Sequence, residues 1–108
     1  MTEQFSLKNK VVIVTGGTGI LGNSFVNAIV EAGGAVGILG RNEQVANERA
    51  DAIKKNGGHA LAMVADVMDE GQLKTAKEKA LKEFGKIDGL VNAAGGIMPE
   101  GVLQPGQN

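Results

Sequence analysis

Glycines spaced three residues apart follow an apolar run near the start of the chain. The run V-V-I-V leads into TGGTGILG at 15–22, which contains Gly16, Gly19 and Gly22. Such glycines between a strand and a helix let a pyrophosphate reach free backbone N–H groups at the helix N-terminus. Gly16 permits the tight turn, Gly19 lets the phosphate approach, and Gly22 allows helix and strand to pack closely. The hydroxyl of Thr18 is a further donor, so the stretch predicts a dinucleotide-binding turn.

Two other interpretations of the same stretch stay open. A glycine-rich turn that binds no ligand would have the same spacing. Read from Gly17, the letters G-T-G-I-L-G-N-S fall one residue short of a triphosphate-binding loop and put Asn23 at its lysine position. Without that ammonium group the β- and γ-phosphates lose their main counter-charge, which disfavours a triphosphate site.

Polar residues also follow the second and third predicted strands. Gly40, Arg41 and Asn42 stand about 20 residues past the glycines, where an acid would bind the ribose 2′-hydroxyl of NAD. Here Gly40 makes room and the Arg41 guanidinium suits a 2′-phosphate, so we predict NADP, with NAD as the alternative. A solvated surface position is the other interpretation of Arg41. Asp66 is suited to accept the adenine amino group while Val67 packs on the ring edge; alternatively, Asp66 only caps a turn.

Apolar periodicity predicts the elements that position these residues. Strands are predicted at 11–15, 35–39, 60–65 and 87–92. Helices are predicted at 20–32, at 43–56 and between Asp69 and Gly85. Asp69 is the predicted N-cap of the third helix, and Gln72 completes a capping box with it. The order βαβαβαβ with short connections is typical of a Rossmann-type doubly wound α/β fold with a parallel sheet. Right-handed crossovers give the strand order 3-2-1-4, and ligands bind beyond the carboxyl ends of such strands.

Composition restricts the class of protein. The 108 residues suit one modest domain, and 11 basic against 12 acidic residues give a net charge of −1. Mixed charge predicts no nucleic-acid partner, and no apolar stretch is long enough to predict a membrane span. The chain contains no cysteine, so it has no disulfide or thiolate metal site, and we predict no metal site of any kind. The N-terminal residues show no secretory signal, so we expect a cytoplasmic protein.

Three motifs together resemble the short-chain dehydrogenase/reductase family. They are TGGTGILG at 15–22, Asp66-Val67, and VNAAGG at 91–96, in the order and approximate spacing of that family. The resemblance implies hydride transfer between a nicotinamide cofactor and a small-molecule alcohol or carbonyl substrate. Matched residue by residue, the resemblance implies that Gly16, Thr18, Ile20 and Leu21 form the pyrophosphate-binding turn. It implies that Asp66 and Val67 form the adenine site and that Asn92 braces the sheet. Ala93, Ala94 and Gly95 would form the wall beside the adenosine ribose.

The sequence departs from the family pattern in two ways. Its glycine spacing is closer to that of extended members, many of which are nucleotide-sugar epimerases or dehydratases, whereas VNAAGG is closer to classical members. Within the family the chain is most similar to sugar-acid and polyol oxidoreductases such as D-mannonate oxidoreductases. The family uses a serine, a tyrosine and a lysine in catalysis, but this chain has no tyrosine, and Ser6 and Ser24 lie elsewhere.

We therefore expect the cofactor-binding half of a longer enzyme and assign no catalytic residue. Residues 1–94 would form the dinucleotide-binding unit, and residues 95–108 would begin a second half. We expect the chain by itself to be inactive and the full-length protein to be a homo-oligomer, a dimer or a tetramer. A non-catalytic dinucleotide-binding module is the competing hypothesis. A doubly wound methyltransferase is disfavoured because Gly40 stands where an acid is expected.

Overall fold

Seven elements alternate between strand and helix in the computed structural model, which describes residues 6–93. They are β1 Val11–Thr15, α1 Ile20–Glu31, β2 Ala35–Gly40, α2 Glu43–Lys55, β3 Ala60–Val64, α3 Glu70–Phe84 and β4 Gly89–Asn92. The predicted order and types are confirmed. The last strand begins at Gly89 rather than at residue 87, since its pairing with β1 starts at Val12 and Gly89, and Ile87 packs against the core before the strand. Ala94, Gly95 and the predicted boundary after residue 94 lie outside the described residues.

The four strands form one parallel sheet in the order β3-β2-β1-β4. This order confirms the predicted doubly wound topology. Thr15 at the end of β1 pairs with Leu39 on β2 and with Asn92 on β4. The carboxyl ends of all four strands therefore lie along one edge of the sheet, and the residues that follow them are neighbours there.

Successive side chains of a strand point to opposite sides, and both sides are buried along most of the central strands β1 and β2, whereas β4 is only partly buried. Val14 packs with the residues of α1 and α2, and Ile13 packs with those of α3. Two apolar side chains of the helices are only partly covered: Phe25 of α1 is 39% exposed and Leu81 of α3 is 47% exposed. Neither α1 nor any other helix within residues 6–93 is long and apolar enough to cross a membrane.

Side-chain hydrogen bonds cap the N-termini of α2 and α3. The side chain of Asn42 caps α2 by accepting from Val45 N at 3.1 Å, and Asp69 caps α3 by accepting from Gln72 N at 3.1 Å. The predicted capping box is only half right. The side-chain oxygen of Gln72 accepts from the backbone N–H of Asp66 at 2.9 Å, which ties the turn after β3 to the first turn of α3.

Candidate functional site

A cleft of about 620 Å³ lies at the carboxyl edge of the sheet, and residues that follow all four strands line it. Most of the residues predicted to bind a cofactor meet there. Those in the lining are Gly16, Thr18, Gly19, Arg41, Asn42, Asp66, Val67 and Ala93. The structure does not place Ile20, Leu21, Gly22 or Asn92 in the lining. The parallel strand order, rather than sequence proximity, assembles this site.

Residues 16–19, which connect β1 to α1 and are called the glycine turn here, are tightly packed. Gly16 has φ of 72°, a conformation that favours glycine, and its carbonyl accepts from Gly19 N at 3.1 Å. A Cβ added at Gly22 would lie 2.1 Å from the carbonyl oxygen of Gly16. Gly22 therefore packs the first turn of α1 against the glycine turn itself, rather than against the strand. Gly17 is also buried, and a Cβ there would lie 2.9 Å from Cγ2 of Ile38.

The N-terminus of α1 differs from the other helix starts in the described part of the chain. Gly19 occupies its N-cap without a side-chain hydrogen bond, and the first turn contains no acid. By contrast, α2 and α3 each have a side-chain cap and a glutamate in the first turn. A helix start has N–H groups without helical acceptors and a partial positive charge, so this end of α1 suits an anion.

Ile20 and Leu21 belong to this helix start but do not line the cleft with their side chains. Ile20 is 90% exposed, and Leu21 packs against the core cluster of α1 and α2. The implied contribution of both residues to a pyrophosphate turn therefore rests on their backbone N–H groups.

A side chain that sequence reasoning missed reaches the glycine turn from α2. Nη1 of Arg49 donates to the carbonyl oxygens of Gly17 at 2.5 Å and Gly19 at 2.8 Å. The sequence pattern around Arg49 indicates that its side chain faces the protein and not the solvent. Arg49 stands four residues after Val45 and four before Ile53, so a charged residue falls on the apolar face of the helix.

Gly40 at the end of β2 lies beside Thr18 and also lines the cleft. A Cβ at Gly40 would lie 2.6 Å from Oγ1 of Thr18, so the missing side chain makes room for that residue. Arg41 is exposed at the cleft. The side-chain oxygen of Asn42 is engaged as the cap of α2, which leaves its amide nitrogen for other contacts.

Asp66 has the structural role in a turn that was the alternative interpretation of its sequence position. Its Oδ1 accepts from Met68 N at 2.9 Å, and its carbonyl accepts from Asp69 N at 2.9 Å. Asp66 therefore does shape the turn after β3. Among residues 6–93 no donor contacts its second carboxylate oxygen, which borders the same cleft. Val67 lines the cleft while packing against the core cluster of α3.

Polar contacts join β1 to β4, and to the residue just before β4, at opposite ends of the two strands. The buried hydroxyl of Thr15 lies 3.1 Å from Oδ1 of Asn92, in line with the implied bracing role of that asparagine. At the other end of the strands, Val11 N donates to Oδ2 of Asp88 at 2.7 Å, and Lys86 forms an ion pair with the same carboxylate at 3.2 Å. The hydrogen bond from Val11 and the neighbouring Lys86 hold the pKa of Asp88 below its usual value.

A parallel sheet of this strand order, with a glycine turn at its carboxyl edge, defines a Rossmann-type α/β protein. Residues 10–105 match the family model described as short chain dehydrogenase. The chain belongs to the short-chain dehydrogenase family, as the sequence motifs predicted.

Individual relatives agree with this membership. The chain is 36% identical over 97 residues to the uncharacterized oxidoreductase UxuB of Bacillus subtilis, covering 90% of this chain and 35% of that protein. It is 34% identical to the 3-ketoacyl-(acyl-carrier-protein) reductase from Brucella melitensis, solved with NADH, with a TM-score of 0.73 over 79% of this chain and 34% of that one. A proposed D-mannonate oxidoreductase from Haemophilus influenza, solved with bound NAD, is 27% identical, with a TM-score of 0.74 over 79% of this chain and 30% of that one.

The chain thus spans about a third of the length of each of these proteins.

Proposed function

We propose that this chain is the cofactor-binding part of an oxidoreductase that transfers a hydride between a nicotinamide cofactor and an alcohol or carbonyl. One observation carries the proposal: the uncapped start of α1 adjoins a cleft that Arg41 and Asp66 also line. A positive helix end, a guanidinium and a carboxylate match the pyrophosphate, phosphate and adenine amino groups of a dinucleotide. The nicotinamide ring of the bound cofactor would supply or accept the hydride.

Each side of the cleft has a distinct role in this proposal. The backbone N–H groups of the glycine turn bind the pyrophosphate. The free oxygen of Asp66 accepts from the adenine amino group, and Ala93 forms part of the wall beside the ribose. We propose Ala94 and Gly95 for the continuation of that wall.

The proposed cofactor is NADP, because Arg41 stands where an NAD-binding protein of this fold places an acid. The Brucella and Haemophilus relatives were solved with NADH and NAD, so NAD is the alternative. No acid occupies the ribose position in this chain, whose Gly40-Arg41-Asn42 leads directly into α2.

The proposed substrate is a sugar acid or a polyol. The Haemophilus relative is named as a proposed D-mannonate oxidoreductase, and D-mannonate is a sugar acid. The chain contains no tyrosine, and we assign no acid–base catalyst to residues 6–93. We therefore expect the 108-residue chain alone to bind the cofactor without turning over substrate.

Isothermal titration of the 108-residue chain with NADPH and NADH tests the proposal. We expect saturable binding of at least one nucleotide, with NADPH the tighter, and no oxidation of either nucleotide in the presence of keto sugar acids, whose carbonyl group could accept the hydride. ATP serves as the control ligand, because it has a triphosphate but no nicotinamide half. Failure of both nicotinamide nucleotides to bind, or equal binding of ATP, would contradict a dinucleotide site.

A further inference from the structure

The guanidinium of Arg49, on α2, contacts the glycine turn and is not among the residues that line the cleft. Arg49 borders the groove between α1 and α2, whereas Thr18 and Gly19 line the cleft. Its Nη1 donates to the carbonyl oxygens of Gly17 at 2.5 Å and Gly19 at 2.8 Å. Among residues 6–93 no carboxylate forms an ion pair with Arg49, so its charge is directed at the turn.

The two bonded carbonyls determine where two N–H groups point. The peptide group of Gly17 includes the N–H of Thr18, and that of Gly19 includes the N–H of Ile20. The described chain has no cis peptide bond, and in a planar trans peptide the N–H points away from the C=O. Arg49 contacts both carbonyls, and Asn23 N of α1 also donates to that of Gly19 at 3.0 Å. Both N–H groups therefore point away from Arg49, and Thr18 and Gly19 border the cleft.

We propose that Arg49 is a positioning residue for the dinucleotide pyrophosphate, acting through the peptide groups of the glycine turn without touching the ligand. The inference rests on the proposed function, since it concerns the same cleft. Charge-assisted hydrogen bonds polarise the peptide groups that accept them, which strengthens their N–H groups as donors. Holding the turn in its binding geometry also reduces the ordering that the ligand would otherwise have to impose.

Arg49→Met tests this role because it removes the guanidinium and keeps an unbranched apolar stem. We expect the affinity for both NADPH and NADH to fall about tenfold, because the phosphate-binding donors serve both nucleotides equally. In ¹H–¹⁵N spectra of the ligand-free chain, we expect the Thr18 and Ile20 amide signals to move upfield as polarisation is lost. Lys55→Met is the matched control, since Lys55 is exposed on the same helix and no contact links it to the turn.

A purely structural role would give a different set of results. If Arg49→Met lowered stability but left the nucleotide affinities and the two amide signals unchanged, the inference would be wrong. Arg49→Lys keeps the charge and at least one donor, so we expect it to fold and to lose less affinity than Arg49→Met. Loss of folded structure in both variants would assign Arg49 to stability alone.

Failure of the proposed function is distinguishable from failure of this inference. If the unmodified chain bound neither nucleotide, both proposals would fall together. If the unmodified chain bound nucleotide and Arg49→Met bound it equally well, only the role of Arg49 would be overturned.

Discussion

Gly22 faces the carbonyl oxygen of Gly16 so closely that a Cβ on Gly22 would lie 2.1 Å from that oxygen. The helix and the glycine turn therefore approach each other at a position where no side chain fits. Gly22→Ala should destabilise the chain by about 1–3 kcal/mol, since backbone must move to relieve the overlap. Urea unfolding monitored by circular dichroism measures this change.

Gly71→Ala provides the control for that substitution. Gly71 is exposed in α3, and a Cβ there would meet only Asp69 Oδ1 at 3.4 Å. Alanine is the better helix former, so we expect a gain of about 0.5–1 kcal/mol. Equal effects of the two substitutions would show that the contact between Gly22 and Gly16 does not determine the cost.

Gly19→Ala should weaken nucleotide binding while changing the stability of the chain little. The nearest atom to a Cβ on Gly19 is the Gly16 carbonyl oxygen at 3.5 Å, an ordinary contact, and φ at Gly19 is −90°. The cost in stability should stay below about 1 kcal/mol, as for a modest change of N-cap residue. The methyl group would nevertheless occupy space at the cleft, so titration calorimetry should show weaker binding of both nicotinamide nucleotides. Unchanged affinity would remove Gly19 from the proposed phosphate site.

Arg41→Asp tests the choice between NADP and NAD. The substitution removes a partner for the 2′-phosphate and supplies an acceptor for a 2′-hydroxyl. We expect the ratio of NADPH to NADH affinity to fall about tenfold or more, because charge-assisted contacts to phosphate are lost. Lys55→Asp makes the same change of charge at the far end of α2 and should leave the ratio unaltered. A preserved preference in Arg41→Asp would exclude Arg41 as the selecting residue.

Thr15→Val tests the joint between β1 and β4. Valine keeps the shape of the buried side chain and removes the hydroxyl that lies 3.1 Å from Oδ1 of Asn92. The free energy of unfolding should fall by about 1 kcal/mol, the usual worth of one hydrogen bond. Thr75→Val, on the exposed side of α3, should change it by less than about 0.5 kcal/mol. A double-mutant cycle with Asn92→Ala should show coupling of about 0.5–1 kcal/mol, and additive effects would argue against the contact.

Asp88 should make the stability depend on pH in the acid range. Because folding lowers the pKa of Asp88 below its usual 3.8, the ionised group stabilises the folded state at neutral pH. This contribution is present above 3.8 and is lost as the pH falls through the lower folded pKa. Asp88→Asn should therefore be less stable than the unmodified chain at pH 7, and the difference should narrow at acid pH.

Urea unfolding at a series of pH values measures this narrowing. Asp51→Asn, at an exposed position of α2, is the control and should differ little from the unmodified chain at each pH. A difference between Asp88→Asn and the unmodified chain that stayed constant down to the acid limit would show that the charge of Asp88 contributes nothing.

The order of elements could be read from the sequence because each signal is local. A β-branched run at 11–15 predicts a buried strand, and Asp69 and Gly85 mark the two ends of α3 through their own backbone and side-chain chemistry. Strand order followed as well, since crossovers between parallel strands have one hand. The motifs in turn predicted the family, which the match over residues 10–105 confirms.

The sequence by itself thus determined the elements, their topology and the family. Only the tertiary structure decided that Arg49 holds the glycine turn, that Gly40 accommodates Thr18, and that Asp88 binds the start of β1. These contacts join residues that are 22 to 77 positions apart in the chain. No local pattern specifies such a pair, because its distance depends on how two elements pack and not on the propensity of either.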